Sequence, residues 1–332
     1  MPKYLDKWVL WCYYIHDKMI RGENMSNYVT YHLHTELSLL DSCTNFKLYV
    51  DKAKDLGQTA ICFTEHGNLY NWVEKKMYCE EQGIKYLHGV ECYLTKDLLQ
   101  IDEENSEPHK VRDNYHTILI AKNSEGLQEL NTLIDLSTQE DHFYYKPRIT
   151  FDEFKNISNN VIKISACLAS PLNKLRDESL IKYYDYLEVQ PHINSEDQKE
   201  YNQWLYQMSL KHNKPLIAGT DTHNLDKYKA ECRSILQRAK HIVFTNEDEF
   251  DLTYKSYDEL VKMFEQQGSL PRDVYLAAIE NTNVMADSIE EFKLDTSFKY
   301  PKLYDDEEKV FKQRINKMYQ DKLKRGIIKN NP

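Results

Sequence analysis

No stretch of this chain approaches the roughly 18 to 20 consecutive apolar residues needed to cross a bilayer. The nearest, residues 8–15, is eight residues long and lacks the small-residue cleavage site of a secretion signal. No membrane partner is therefore expected. Residues 1–27 read as an N-terminal extension, with Met25 a candidate natural start. Cysteine is sparse: seven residues, scattered, with no Cys-x-x-Cys, indicate neither a disulfide framework nor a zinc ribbon. The expected compartment is the reducing cytoplasm. Glycine is scarcer still for a chain of this size, nine in 332 residues, and no Gly-x-Gly-x-x-Gly follows the first strand, so there is no dinucleotide-binding fingerprint. Nor is there an excess of positive charge. With 43 Lys and Arg against 53 Asp and Glu, the net charge of -10 argues against broad nucleic-acid binding through a basic surface. A local phosphate site remains open, because bound divalent cations reverse the sign of the field.

What is present is a soluble composition, 41% hydrophobic and 29% charged, long enough for one large domain and an appendage. The organising stretch is Tyr31-His32-Leu33-His34, at the end of a short apolar run. In an extended strand, residues two apart share a face, so both imidazoles emerge together with metal-ligand spacing. The pattern recurs. An apolar run at residues 59–63 delivers Thr64-Glu65-His66-Gly67, residues 86–90 deliver Glu91, and His116 opens a strand over 116–121. Residues 161–166 end at Cys167, residues 186–189 run into Gln190, Pro191 and His192, and residues 215–219 deliver Asp221 and His223.

Helices are predicted over 45–56, 70–81, 124–136 and 196–212. Strands alternating with helices, and apolar throughout rather than at every second position, predict a largely parallel sheet covered by helices. About seven such units fit a closed or distorted barrel, where polar residues gathered at strand C-termini build the active site. Beyond His223 three further helices follow. Residues 300–332 carry a local excess of basic residues, nine against five acidic, and read as a solvated helix or a surface that touches nucleic acid. Residues 241–332 are thus expected to form a helical extension beyond a barrel at 28–240.

His32, His34, Asp41, His66, Glu91, His116, Cys167, Asp221 and His223 are too many ligands for one tetrahedral site. They suit a cluster of two or three divalent ions in which Glu91 and Asp221, with two oxygens each, bridge. These residues, within His32-Leu33-His34-Thr35-Glu36-Leu37-Ser38-Leu39-Leu40-Asp41, Thr64-Glu65-His66-Gly67-Asn68-Leu69, Gly89-Val90-Glu91, Ser165-Ala166-Cys167-Leu168 and Asp221-Thr222-His223, resemble the PHP (polymerase and histidinol phosphatase) domain. Within that family the chain is most similar to the amino-terminal region of bacterial DNA polymerase III alpha subunits. The resemblance implies an α/β fold, a distorted seven-stranded (β/α) barrel with a C-terminal helical extension. It also implies one metal site of His32, His34, Glu91 and Asp221, a second of Asp41, His66 and His223, and a third of Glu91, His116 and Cys167. Glu65 stands where Asp is more usual, and Thr220 where Asn commonly precedes the Asp.

The expected chemistry is metal-dependent hydrolysis of a phosphate ester, with the 3′ end of DNA as the substrate suggested by the family. Thiolate and imidazole ligands favour zinc or manganese over magnesium. Asp221, Glu91, His66 and His192 are the candidate catalytic residues. Lys146 and Arg148 are candidate phosphate contacts, with Tyr144 or Tyr145 as a stacking surface. Polymerisation by this chain alone is not expected, because no Asp-x-Asp pair and no glycine-rich nucleotide stretch are present. Polymerase domains encoded separately, or replisome subunits, are the expected partners. The rival readings are a small-molecule phosphatase of the histidinol phosphate type and a structural domain without hydrolytic activity.

Overall fold

The computed structural model describes residues 27–101, 108–242, 250–295 and 297–329. The predicted extension, but for Asn27, lies outside them. The chain divides into two compact units after Phe292.

The first unit begins with an extended segment through His32 and His34, followed by α1 (Phe46–Asp55) and β1 (Ala60–Phe63). Asn45 caps α1 by accepting from the Lys47 N–H. Next come α2 (Trp72–Gln82) and the long β2 (Lys85–Thr95), then the short β3 (Gln100–Ile101) and β4 (Pro108–His109). β5 (Tyr115–Ala121), α3 (Ser124–Ser137), β6 (Arg148–Thr150), α4 (Phe151–Asn156) and β7 (Val161–Ile164) follow. After α5 (Pro171–Leu175) the chain runs through β8 (Leu187–Val189), α6 (Glu196–His212) and β9 (Leu216–Ala218). It closes with α7 (Lys227–Ala239), α8 (Tyr257–Gln267) and α9 (Arg272–Asp287).

The sheet is mixed rather than largely parallel. β1 pairs with β2 in parallel, but β5 runs antiparallel to both β2 and β7. The cause is local: β2 continues four residues past Glu91, and the chain returns beside it as β5 without the crossover helix that a parallel neighbour demands. β6 extends the far end of β2, and β8 and β9 form a separate parallel pair. No closed barrel of continuous ladders is seen among the described residues. Single bridges link the pieces instead, at Thr30–Ile61, Ile164–Tyr186 and Leu33–Thr222. β8 and β9 are three residues long, too short to ladder with both neighbours.

Strand residues two apart fill the interior: Ala60 with Cys62, Ile118 with Ile120, Ile162 with Ile164. The boundary predicted near residue 240 falls inside this unit, because α9 is built into it. Asn281 donates to the Leu216 carbonyl at 2.6 Å, Thr282 accepts from the Val29 N–H, and Met285 is fully buried. The second unit carries α10 (Glu307–Lys324), capped by Asp306, with no buried residue.

Candidate metal centre

Glu91 lies in the middle of β2 rather than at its end, fully buried, with imidazoles on several sides. His66 Nδ1 is 2.7 Å and His34 Nε2 3.4 Å from its Oε2, while His116 Nδ1 is 2.9 Å and His32 Nε2 3.4 Å from its Oε1. Asp221 closes the arrangement, its Oδ1 3.1 Å from His32 Nε2, 3.4 Å from His34 Nε2 and 3.5 Å from His223 Nδ1. It holds a left-handed backbone, φ 46°, a strained setting for a non-glycine residue of the kind that gathers at functional sites. Asp41 Oδ2 meets His66 Nε2 at 2.8 Å and His223 Nε2 at 3.3 Å. Cys167 Sγ lies 3.7 Å from His116 Nδ1 and 4.0 Å from Glu91 Oε1. All nine residues singled out as ligands are thus brought together.

Each deep imidazole is oriented from behind. His32 Nδ1 faces Glu188 Oε1 at 2.7 Å, and His223 Nδ1 faces the Asp221 carbonyl at 2.8 Å. Both partners only accept, so both Nδ1 atoms carry a proton, and each Nε2 is turned toward the carboxylates of the cluster. His34 Nδ1 meets the Ser38 hydroxyl, which donates to Glu65 at 2.6 Å. Glu65 is in turn held by buried Lys75 at 2.6 Å. The substituted Glu65 therefore reaches His34 through Ser38. Gly219 is required here, since a Cβ would sit 2.3 Å from Glu188 Cδ.

The charges follow from burial set against pairing. Burial pushes His34 down to about 3, reinforced by His66 and His223. Burial also opposes charge on His66, but Glu91 and Asp41 override it and hold His66 at about 10. Glu91 is kept well below the usual carboxylate range, against its burial, by His116 and His66. Burial pushes the Cys167 thiol up.

His32 Nε2, His34 Nε2, His66 Nδ1, Glu91 Oε2 and Asp221 Oδ1 are buried and face one another at ion-pair distance without aligned hydrogen bonds among the described residues. Buried imidazole nitrogens and carboxylate oxygens that converge without aligned hydrogen bonds are costly, and a cation that displaces the ring protons satisfies them. Three triads have ligand atoms close enough to hold an ion: His34, His66 and His223; His32, His34 and Glu91; His66, Glu91 and His116. The donor set fits divalent metal.

The cluster lies in the wall of a cavity of about 1030 Å³, which Leu39, Tyr70 and Phe143 also line. Lys146 lines it too, its ammonium donating to the Tyr93 hydroxyl at 3.1 Å. His192 is in the wall and buried, packed edge-on against Phe250, and burial pushes it down to about 4. Arg148 is a correction: it is fully buried, with its guanidinium donating to the His142 and Val111 carbonyls and paired with Asp113. It holds the loop and cannot contact substrate phosphate. Tyr144 lies against Arg148, and exposed Tyr145 lies under Arg112; neither is among the cavity-lining residues.

Sequence reasoning missed Glu188, Ser38 and Arg233, whose guanidinium binds the Asp41 carboxylate from α7. The signal for Glu188 was legible: an acidic residue inside a fully apolar strand is rare unless paired.

Among known proteins, the PHP domain family matches residues 30–270. The DNA polymerase III subunit alpha of Aquifex aeolicus is 31% identical over 294 residues, covering 81% of this chain and 25% of that one. The Helicobacter pylori protein of the same name (strain 26695) is 29% identical over 280 residues, covering 77% and 22%. The chain thus spans about a quarter of the length of these curated relatives. Among solved structures, a two-domain Bacteroides vulgatus protein containing a predicted PHP-like metal-dependent phosphoesterase matches at 16% identity and a TM-score of 0.39, covering 61% of this chain and 53% of that one. The family match over residues 30–270 covers every residue of the Glu91 cluster, and the chain belongs to the PHP domain family.

Proposed function

We propose that this protein is a divalent-metal-dependent phosphoesterase that hydrolyses DNA 3′ ends. The observation that carries the reading is the set of buried imidazole and carboxylate ligand atoms converging around Glu91 and Asp221 on the wall of an open cavity. His32, His34, Glu91 and Asp221 would hold one ion, Asp41, His66 and His223 a second, and Glu91, His116 and Cys167 a third, with zinc or manganese best suited to the donors. When bound, such ions supply Lewis acidity toward phosphoryl oxygens and lower the pKa of water. Glu188 and Ser38 fix the rings so that little reorganisation is needed on loading. Lys146, solvent-exposed at the cavity, is placed to draw in a phosphate, and the apolar faces of Leu39, Tyr70 and Phe143 suit a nucleobase.

The single bridges support a further reading, that the pieces form a distorted seven-stranded barrel whose circuit closes at Leu33–Thr222. The polymerase relatives point to cytoplasmic replication as the setting, with polymerase domains or replisome subunits as partners.

The test is manganese-dependent release of nucleotides from a 3′-labelled single strand by the wild type and Asp221→Asn, with metal content measured on both. The expected result is release by the wild type alone. Metal bound in the wild type with no release by either protein would instead leave a structural domain.

A further inference from the structure

Gln190 sits between two groups whose hydrogen-bonding roles are fixed. Its Nε2 lies 2.6 Å from Glu188 Oε1. A carboxylate only accepts, so the amide nitrogen donates there, and a flipped amide would set two acceptors against each other. Its Oε1 is thereby turned toward His192, 3.1 Å from Nε2. An amide oxygen only accepts, so His192 carries its proton on Nε2. The other ring nitrogen, Nδ1, is then a bare acceptor; it is buried and unpartnered among the described residues, on a ring that lines the cavity. Glu188 thus sets two imidazoles at once: directly it turns His32 Nε2 toward Glu91 and Asp221, and through Gln190 it leaves Nδ1 as the unprotonated nitrogen of His192. The Tyr31 hydroxyl, donating to Glu188 Oε2 at 2.8 Å, completes the anchor.

We propose that His192 Nδ1 accepts a hydrogen bond from a hydroxyl of the substrate's sugar, so that His192 is a specificity-determining residue and not a phosphate contact. The proposal rests on the phosphoesterase reading. Ionised phosphate oxygens carry only lone pairs, and a bare nitrogen facing them repels. A sugar hydroxyl has the proton that this nitrogen lacks. On a DNA 3′ end, the terminal nucleotide presents one such hydroxyl on the sugar attached to the scissile phosphate. A buried acceptor of this kind rejects the analogue without the hydroxyl, because binding would leave the nitrogen desolvated and unpaired.

The test uses the wild-type chain with manganese. Calorimetry compares a deoxynucleoside 5′-monophosphate with its 2′,3′-dideoxy analogue, and the same pair of termini is compared on a single-stranded oligonucleotide. The hydroxylated ligand is expected to bind about 10-fold or more tighter. Equal affinity, or binding of neither, would overturn the subsite. Discrimination in binding without hydrolysis sustains it while sinking the DNA-end reading; hydrolysis without discrimination does the reverse. Independently, ¹⁵N NMR of histidine-labelled protein should show His192 as the Nε2–H tautomer, and an Nδ1–H tautomer would overturn the proposal. His192→Leu should abolish the discrimination while keeping the wild-type metal content. Loss of metal in that variant would make His192 a support of the cluster instead.

Discussion

The two halves of the metal centre are built differently. On the deep side His32 and His34 have no exposed side chain, and each is braced from behind, by Glu188 or by Ser38 and Glu65. On the outer side the His116 side chain is 20% exposed and Cys167 is partly buried, with Sγ 4.0 Å from Glu91. Glu91 belongs to both, its Oε1 meeting outer His116 and deep His32 and its Oε2 meeting His66 and deep His34. The difference teaches that burial alone does not make a ligand. A buried imidazole keeps its lone pair aimed only when its other nitrogen is committed, and commitment costs buried polar groups that must themselves be satisfied.

The largest expected effect comes from the shared residue. Glu91→Gln should strip metal from both halves and lower hydrolysis at least about 1000-fold, because one substitution removes the common charged ligand. Metal analysis showing only a single equivalent lost would break the picture of a shared centre.

Next in size is the bracing itself. Glu188→Gln should weaken metal affinity about 10- to 100-fold by freeing the His32 ring, with hydrolysis recovering at high manganese. Wild-type affinity, measured by competition with a chelator, would remove the distinction between braced and unbraced halves. Cys167→Ser should have a smaller effect, about 10-fold on zinc and less on manganese, because it trades a soft ligand for a hard one on the outer side only. Equal losses for both metals would count against Cys167 as a ligand.

His88 sharpens the comparison from outside the cluster. It is buried beside Trp72 and Asn131 with no carboxylate against it among the described residues, and burial pushes it down to about 4, whereas Glu91 and Asp41 hold His66 up. Its linkage has a definite sign. Between pH 6.5 and 4 the unfolded chain takes up a proton that native His88 refuses, so stability falls as the pH falls, by about 2 to 3 kcal/mol at pH 4.5. Denaturant melts of His88→Phe should lose that part of the acid sensitivity; an unchanged acid slope would rule it out. The smallest effect is expected at the exposed rim, where Lys146→Ala should raise KM for a DNA end only a few-fold and leave metal content intact.

Much of the site could be read along the chain because its ligands obey local rules. His32 and His34 share a strand face at a spacing of two, and His66, Cys167 and Asp221 follow apolar runs that end near them. Long helices with clear caps, such as α6 behind Ser195, were legible for the same reason. The antiparallel return of β5 was not, since an apolar strand reads alike in either direction. Arg148 was misplaced because a basic residue in an aromatic loop carries no mark of which way it faces. It turned inward to satisfy the carbonyls of Val111 and His142.

The sequence by itself determined the chemical inventory: which residues can ligate metal, that they follow strands, and that no membrane span or dinucleotide loop competes with them. Local periodicity and side-chain chemistry suffice for that. Tertiary structure alone decided which ring nitrogen is committed to which partner. Glu188 is 156 residues from His32, and Arg233 is 192 from Asp41. Whether an imidazole presents one nitrogen or the other depends on a partner that only folding brings within hydrogen-bond range.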